Sequence, residues 1–135
     1  VTINTRRCCF ADALDARVAG CSKALKSARQ YRRIVYCSSE EAHGRCAAWL
    51  DHVRRHSQFT LGTRRTPSAL PRRVAVKLQG GGLLAIRDLL DGAAGDRIRD
   101  VSGLLRRALT RYGSLDEVPM ETIVRRIHGF ERDEG

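Results

Sequence analysis

The sequence predicts a helix-dominated α/β fold, with five helices around a short two-stranded parallel sheet in a single domain. Three observations lead there. Apolar residues recur at three- and four-residue steps over most of the chain, the signature of amphipathic helices. Two short runs rich in β-branched residues are separated by one such helix, and a strand–helix–strand order implies a parallel pair with a right-handed crossover. Finally, 135 residues with 42% hydrophobic content suffice for one modest core and exclude a disordered tail.

The elements follow in order. Phe10, Leu14, Val18, Cys21, Leu25 and Ala28 form one apolar stripe, so a helix is expected from Phe10 to Arg29, weakened by Gly20 at about 1 kcal/mol relative to Ala. Arg33 to Cys37 reads as a strand. Ser38 and Glu41 have the spacing of a capping box, opening a helix to about His56 with Ala42, Cys46, Trp49, Leu50 and Val53 on one face. Residues 60–72, with Gly62, Pro67 and Pro71 among arginines, read as an exposed basic connection. Arg73 to Leu78 reads as the second, buried strand. Gly80-Gly81-Gly82 reads as a strand-to-helix turn, followed by a helix from Leu83 to Asp91 that Gly92 closes. Asp96 is placed to cap a helix carrying Ile98, Val101, Leu105, Ala108, Leu109 and Tyr112, with Gly113 just beyond its end. A last helix begins near Pro119, striped by Met120, Ile123, Val124 and Ile127.

Charge divides the chain in two. The net charge is +10, from 25 Lys/Arg against 15 Asp/Glu. Residues 1–33 hold eight basic side chains against Asp12 and Asp15, and residues 34–73 hold seven against Glu40, Glu41 and Asp51. Residues 74–135 balance ten against ten. The whole excess lies in the first 73 residues, which suits an anionic partner, either nucleic acid or an acidic protein. Arg32-Arg33, Arg54-Arg55, Arg64-Arg65 and Arg72-Arg73 are its clusters, and Arg32, Arg33, Arg54, Arg55, Arg64 and Arg65 are the expected partner contacts. Aromatics at 5% are too few for the stacking platform of a single-strand binder. The charge-balanced half, with two amphipathic helices, suits an oligomer or subunit interface.

All five cysteines fall on the charged side, at Cys8, Cys9, Cys21, Cys37 and Cys46. An odd number, with no apolar run of a secretory signal and no membrane-spanning stretch, points to reduced thiols in a cytoplasmic protein. Two readings stay open. Cys21, Cys37 and Cys46 fit as small buried hydrophobes. Alternatively they converge as metal ligands, with Cys8 or Cys9 completing the set. Structural zinc sites favour close thiolate pairs, which the gaps between these positions do not provide. An iron–sulfur cluster gathers ligands from separated elements and gains from basic surroundings, so it is favoured over zinc.

The segment running from strand through Cys37-x8-Cys46 into a helix is similar to the first half of the thioredoxin-like two-iron ferredoxin motif. That resemblance covers about 50 residues and implies a second cysteine pair in a glycine-containing turn. The matching stretch, Lys77 to Leu84, keeps the glycines and has no cysteine, so half of the ligand set is absent.

Other constellations are weaker. His43, three residues before Cys46, can replace a thiolate but is more ordinary as a helix-surface histidine. His52 and His56 have chelating spacing, yet Val53 stands where a metalloprotease has its glutamate. Gly80, Gly81 and Gly82 can bring backbone amides to a phosphate or a cluster sulfide at a helix start, although they lack a phosphate-loop Lys-Ser/Thr. No nucleophile elbow is present. The expectation is therefore a non-enzymatic protein with a cysteine-ligated metal centre, acting in electron transfer or as an accessory subunit. A nucleic-acid-binding module, with zinc or metal-free, and a plain structural subunit are the alternatives.

Overall fold

The computed structural model describes residues 6–29, 32–61, 70–92, 95 and 97–130. Its elements are α1 (Ala11–Asp15), β1 (Ala24–Arg29), β2 (Arg32–Cys37), α2 (Glu40–Leu61), α3 (Arg72–Asp91), α4 (Val101–Tyr112), a 3-10 turn (Leu115–Glu117) and α5 (Met120–His128). The helix-dominated α/β class holds. The sheet is antiparallel, however, so the expected parallel crossover is corrected.

The correction begins in the first predicted helix. Only Ala11–Asp15 is helical, and the chain then breaks at Arg17, whose φ of 64° is left-handed and outside any helix. Its continuation, Ala24–Arg29, pairs with Arg32–Cys37 in a hairpin with Arg29 opposite Arg32. Leu25, placed on the buried stripe by its spacing, is 51% exposed. Ahead of α1, the chain runs beside the far edge of β2: the Cys8 N–H donates to the Val35 carbonyl at 2.8 Å and the Cys37 N–H to that of Arg6 at 2.8 Å.

The second predicted strand is helical. α3 runs unbroken from Arg72 through Gly82 to Asp91, burying Ala75, Val76, Leu78, Leu83, Leu84 and Ile86. The three glycines answer to a neighbouring helix. A Cβ on Gly81 would stand 2.9 Å from Ile127 Cα, and one on Gly80 would meet Val18 and Phe130 at 3.0–3.3 Å. Close approach of α5 to α3 thus needs small residues where a turn was expected. None of the three has positive φ.

Elsewhere the local chemistry matches the element. Ser39, one residue later than expected, caps α2 by accepting the Ala42 N–H at 3.1 Å. α4 begins at Val101, after Asp100; Asp96 lies outside the described residues. Gly113, with φ 84°, ends α4, and Pro119 precedes α5. The core gathers Phe10, Trp49, Val53, Leu83, Leu84, Ile86, Leu105, Ile123 and Ile127. Gln79 of α3 reaches the start of α1: its Oε1 accepts the Ala13 N–H at 3.0 Å and its Nε2 donates to Asp12 at 3.3 Å.

Candidate metal centre

Four separated stretches of chain bring their thiols to one pocket. Cys8 and Cys9 arrive on the segment entering α1, Cys21 on the loop before β1, Cys37 at the end of β2 and Cys46 from the second turn of α2. Phe10, Lys23, Ala24, Ala42, His43 and Val101 line it with them. Cys37 and Cys46 are buried, while Cys8, Cys9 and Cys21 are half-buried, so the pocket opens to solvent on their side.

Each position has an identifiable hold. Cys8 and Cys37 are fixed by the backbone bonds that lay the N-terminal segment along β2. The Cys37 thiol also donates to the Ser39 carbonyl at 3.2 Å, at the start of α2. Cys46 follows from helical periodicity, sharing the buried face of Ala42 and Trp49. His43 accounts for the register between the two sides, since its Nε2 lies 3.1 Å from the Arg7 carbonyl oxygen. Cys21 is held from far downstream. A parallel bridge joins Ala19 to Ile98, the Gly20 N–H donates to the Ile98 carbonyl at 2.8 Å, and the Val101 N–H to that of Gly20 at 2.9 Å. Ser22 adds bonds to the Asp100 carboxylate, from its N–H at 2.9 Å and from its hydroxyl, 3.1 Å from both oxygens.

Burial works against the thiolate form at Cys8, Cys9, Cys21 and Cys46. Burial pushes the Cys8 thiol up to about 11, with the thiols of Cys21, Cys9 and Cys37 adding to the effect and the Phe10 amide opposing it. Cys46 is raised further, first by burial and then by all four other cysteines. Burial also raises Cys9 and Cys21, and at Cys21 the backbone N–H groups of Lys23 and Ser102 work in the other direction. At neutral pH these thiols are therefore protonated, which does not suit a nucleophilic cysteine. A cation placed among them would reverse this logic, because it stabilises the deprotonated ligand outright.

The space between the sulfurs is small, about 10 Å³, or room for one water-sized sphere. Among the described residues no three His, Cys, Asp or Glu side chains are arranged to hold a metal ion as they stand. The five cysteines line one pocket, but their side chains do not converge on a point.

The other predicted positions lie elsewhere. Gly80, Gly81 and Gly82 sit inside α3, packed against Val18, Val53, Ile127 and Phe130, so the helix start on which the phosphate and sulfide readings depended is absent. The same helix removes the glycine-containing turn of the ferredoxin-like motif. Arg54 and Arg55 share the Asp51 carboxylate, at 2.9 and 3.2 Å. Arg32 and Arg33 lie on β2 near the hairpin tip, and Arg64 and Arg65 fall outside the described residues. His52 is buried beside His56, with ring centroids 4.6 Å apart. The Gln79 and Ile98 supports were not recognised from sequence; a lone glutamine in an apolar run was the only signal for the first. Among the described residues no helix is long and apolar enough to cross a membrane. No known protein family matches the chain, nor does any curated protein or solved structure.

Proposed function

We propose that this chain carries a cysteine-ligated metal centre, an iron–sulfur cluster ahead of zinc, and serves in electron transfer or as an accessory subunit beside an anionic macromolecule. One observation carries the reading: all five cysteines, from four separated stretches, line a single pocket. Cys21, Cys37 and Cys46 are the ligands, with Cys8 or Cys9 as the fourth.

The surroundings favour an anionic cluster over a single zinc ion. Zinc draws four ligands to about 2.3 Å around one point, and the thiols are not gathered that way. A cluster spreads its ligands over a larger body and is tuned by amide hydrogen bonds to sulfur, as supplied to Cys21 by Lys23 and Ser102. The Ser102 amide belongs to the first turn of α4, whose dipole favours negative charge there. Since the pocket holds one water-sized sphere, a cluster would require the half-buried side chains of Cys8, Cys9 and Cys21 to turn outward, on the pocket's open side. Arg7, Lys23 and Lys26 are exposed around that side, the charge an acidic protein partner or nucleic acid would meet.

Anaerobic purification, visible absorbance and analysis of iron and acid-labile sulfide test the reading. The expected result is a coloured protein with on the order of four iron atoms per chain, lost in C21S/C46S. A colourless chain without iron overturns the cluster, and one lacking zinc as well overturns the metal centre.

A further inference from the structure

We propose that the groove between the C-terminal half of α3 and the start of α4 binds a small organic molecule through its phosphate group. The groove encloses about 500 Å³, within the usual range of small-molecule sites. Arg87, Arg97, Arg99 and Arg107 line it, together with two carboxylates among the described residues, Asp91 and Asp100.

Both carboxylates are already engaged. Asp91 accepts both terminal nitrogens of Arg107, and Asp100 accepts the backbone and hydroxyl of Ser22. Arg97 and Arg99 are exposed, and their side chains have no partner among the described residues. Arg87 and Arg107 are paired with Asp88 and Asp91, so among the described residues Arg97 and Arg99 are the groove's arginines without an ion pair, with Asp100 the one lining carboxylate that no arginine pairs.

Arg87 is the second, independent sign. It is only 8% exposed, and its terminal nitrogens are fixed by the Arg97 carbonyl at 3.2 Å, the Asp88 carboxylate at 2.9 Å and the Gly95 carbonyl. Its Nε is buried with no hydrogen-bond partner among the described residues. A buried charged donor left unsatisfied is costly, and Arg87 borders the groove, where turning its guanidinium toward a bound oxyanion would satisfy it. Guanidinium groups match tetrahedral phosphate oxygens through paired N–H donors, which selects phosphate over a compact halide. Ile98, Leu104 and the side-chain-free Gly103 give the groove an apolar part, suited to an organic body attached to the phosphate. The site is separate from the thiol pocket and does not depend on a metal there.

The test is a titration of the ¹⁵N-labelled full chain at low salt with adenosine 5′-monophosphate, inorganic phosphate and adenosine. Saturable shifts of the Arg97, Arg99 and Gly103 amides are expected with the nucleotide, weaker ones with inorganic phosphate and none with adenosine. R97Q/R99Q, on exposed positions, should keep the native spectrum and weaken binding about tenfold or more. R125Q, at a residue whose side chain is 74% exposed on α5, should bind as the parent does. The proposal is overturned by shifts that never saturate, by an equal response to adenosine, or by equal weakening in R125Q. It is also overturned if a single-stranded oligonucleotide binds this face with a steep salt dependence while the mononucleotide does not.

Discussion

Residues 6–37 and residues 72–130 are held together by different means. The second region is apolar packing of helix on helix: Leu83, Ile86, Leu105, Ile123 and Ile127 are almost fully buried, and Gly81 lets α5 press against α3. The first has one five-residue helix and two six-residue strands, and depends on distant props. Gln79 caps α1, Ile98 and Asp100 hold the Cys21 loop, and Arg72 pairs with Asp15 at 2.6 Å. Thiols stand where a self-sufficient domain has larger apolar groups. The contrast teaches that the region with the least packing of its own is the one that presents the candidate ligands, so ligation there would contribute folding energy directly.

The largest effect should come from supplying that missing energy. Reconstitution with iron and sulfide is expected to slow amide exchange at Cys8, Gly20 and Cys37 by about 100-fold, while α3 and α5 change little. Equal protection in both regions would erase the distinction.

The helical region is broken by crowding. Gly81→Ala should cost about 2 kcal/mol in urea denaturation, since its Cβ would meet the Ile127 backbone. Gly82→Ala, whose Cβ would sit 3.5 Å from Val53 in ordinary contact, should instead stabilise by up to about 1 kcal/mol. Opposite signs at adjacent glycines measure how closely α5 approaches.

A prop between the regions comes next. Gln79→Leu keeps the volume but orphans the Ala13 N–H, and about 1.5 kcal/mol should be lost. Proteolysis confined to residues 6–37 would show that the loss falls on the first region.

The smallest effect is a pH slope within α2. Burial lowers the pKa of His52 below its ordinary 6.5, and the charges of His56 and Arg55 add to this. Below about pH 6.5 the unfolded chain takes up a proton that the folded chain resists, so stability is full above that pH and falls as pH drops. H52Q should show a shallower decline in Tm between about pH 7 and 5 than the parent.

The legible parts of the fold were those governed by local rules. The start of α2, the glycine after α4 and the stripe of α5 each carry a cap, a terminator or a period that acts within a few residues. β1 was hidden because its residues mimic a helical stripe, and Gln30-Tyr31, between its end and β2, has none of the usual hairpin-turn chemistry. α3 was misread because Val74, Val76 and the glycines mimic a strand and a turn; only contact with α5 explains them. Among the candidate ligands, the sequence suggested that the cysteines meet but not how Cys21 is placed, since that depends on Ile98 and Asp100, far along the chain.

This last arrangement has a consequence for biosynthesis. Every cysteine has emerged from the ribosome once Cys46 has, yet the strand bridge and the helix start that fix Cys21 are encoded some fifty residues later. A nascent chain ending before Ile98 therefore displays the full complement of thiols without the clasp that orients one of them. The order of translation separates having the sulfurs from having the pocket.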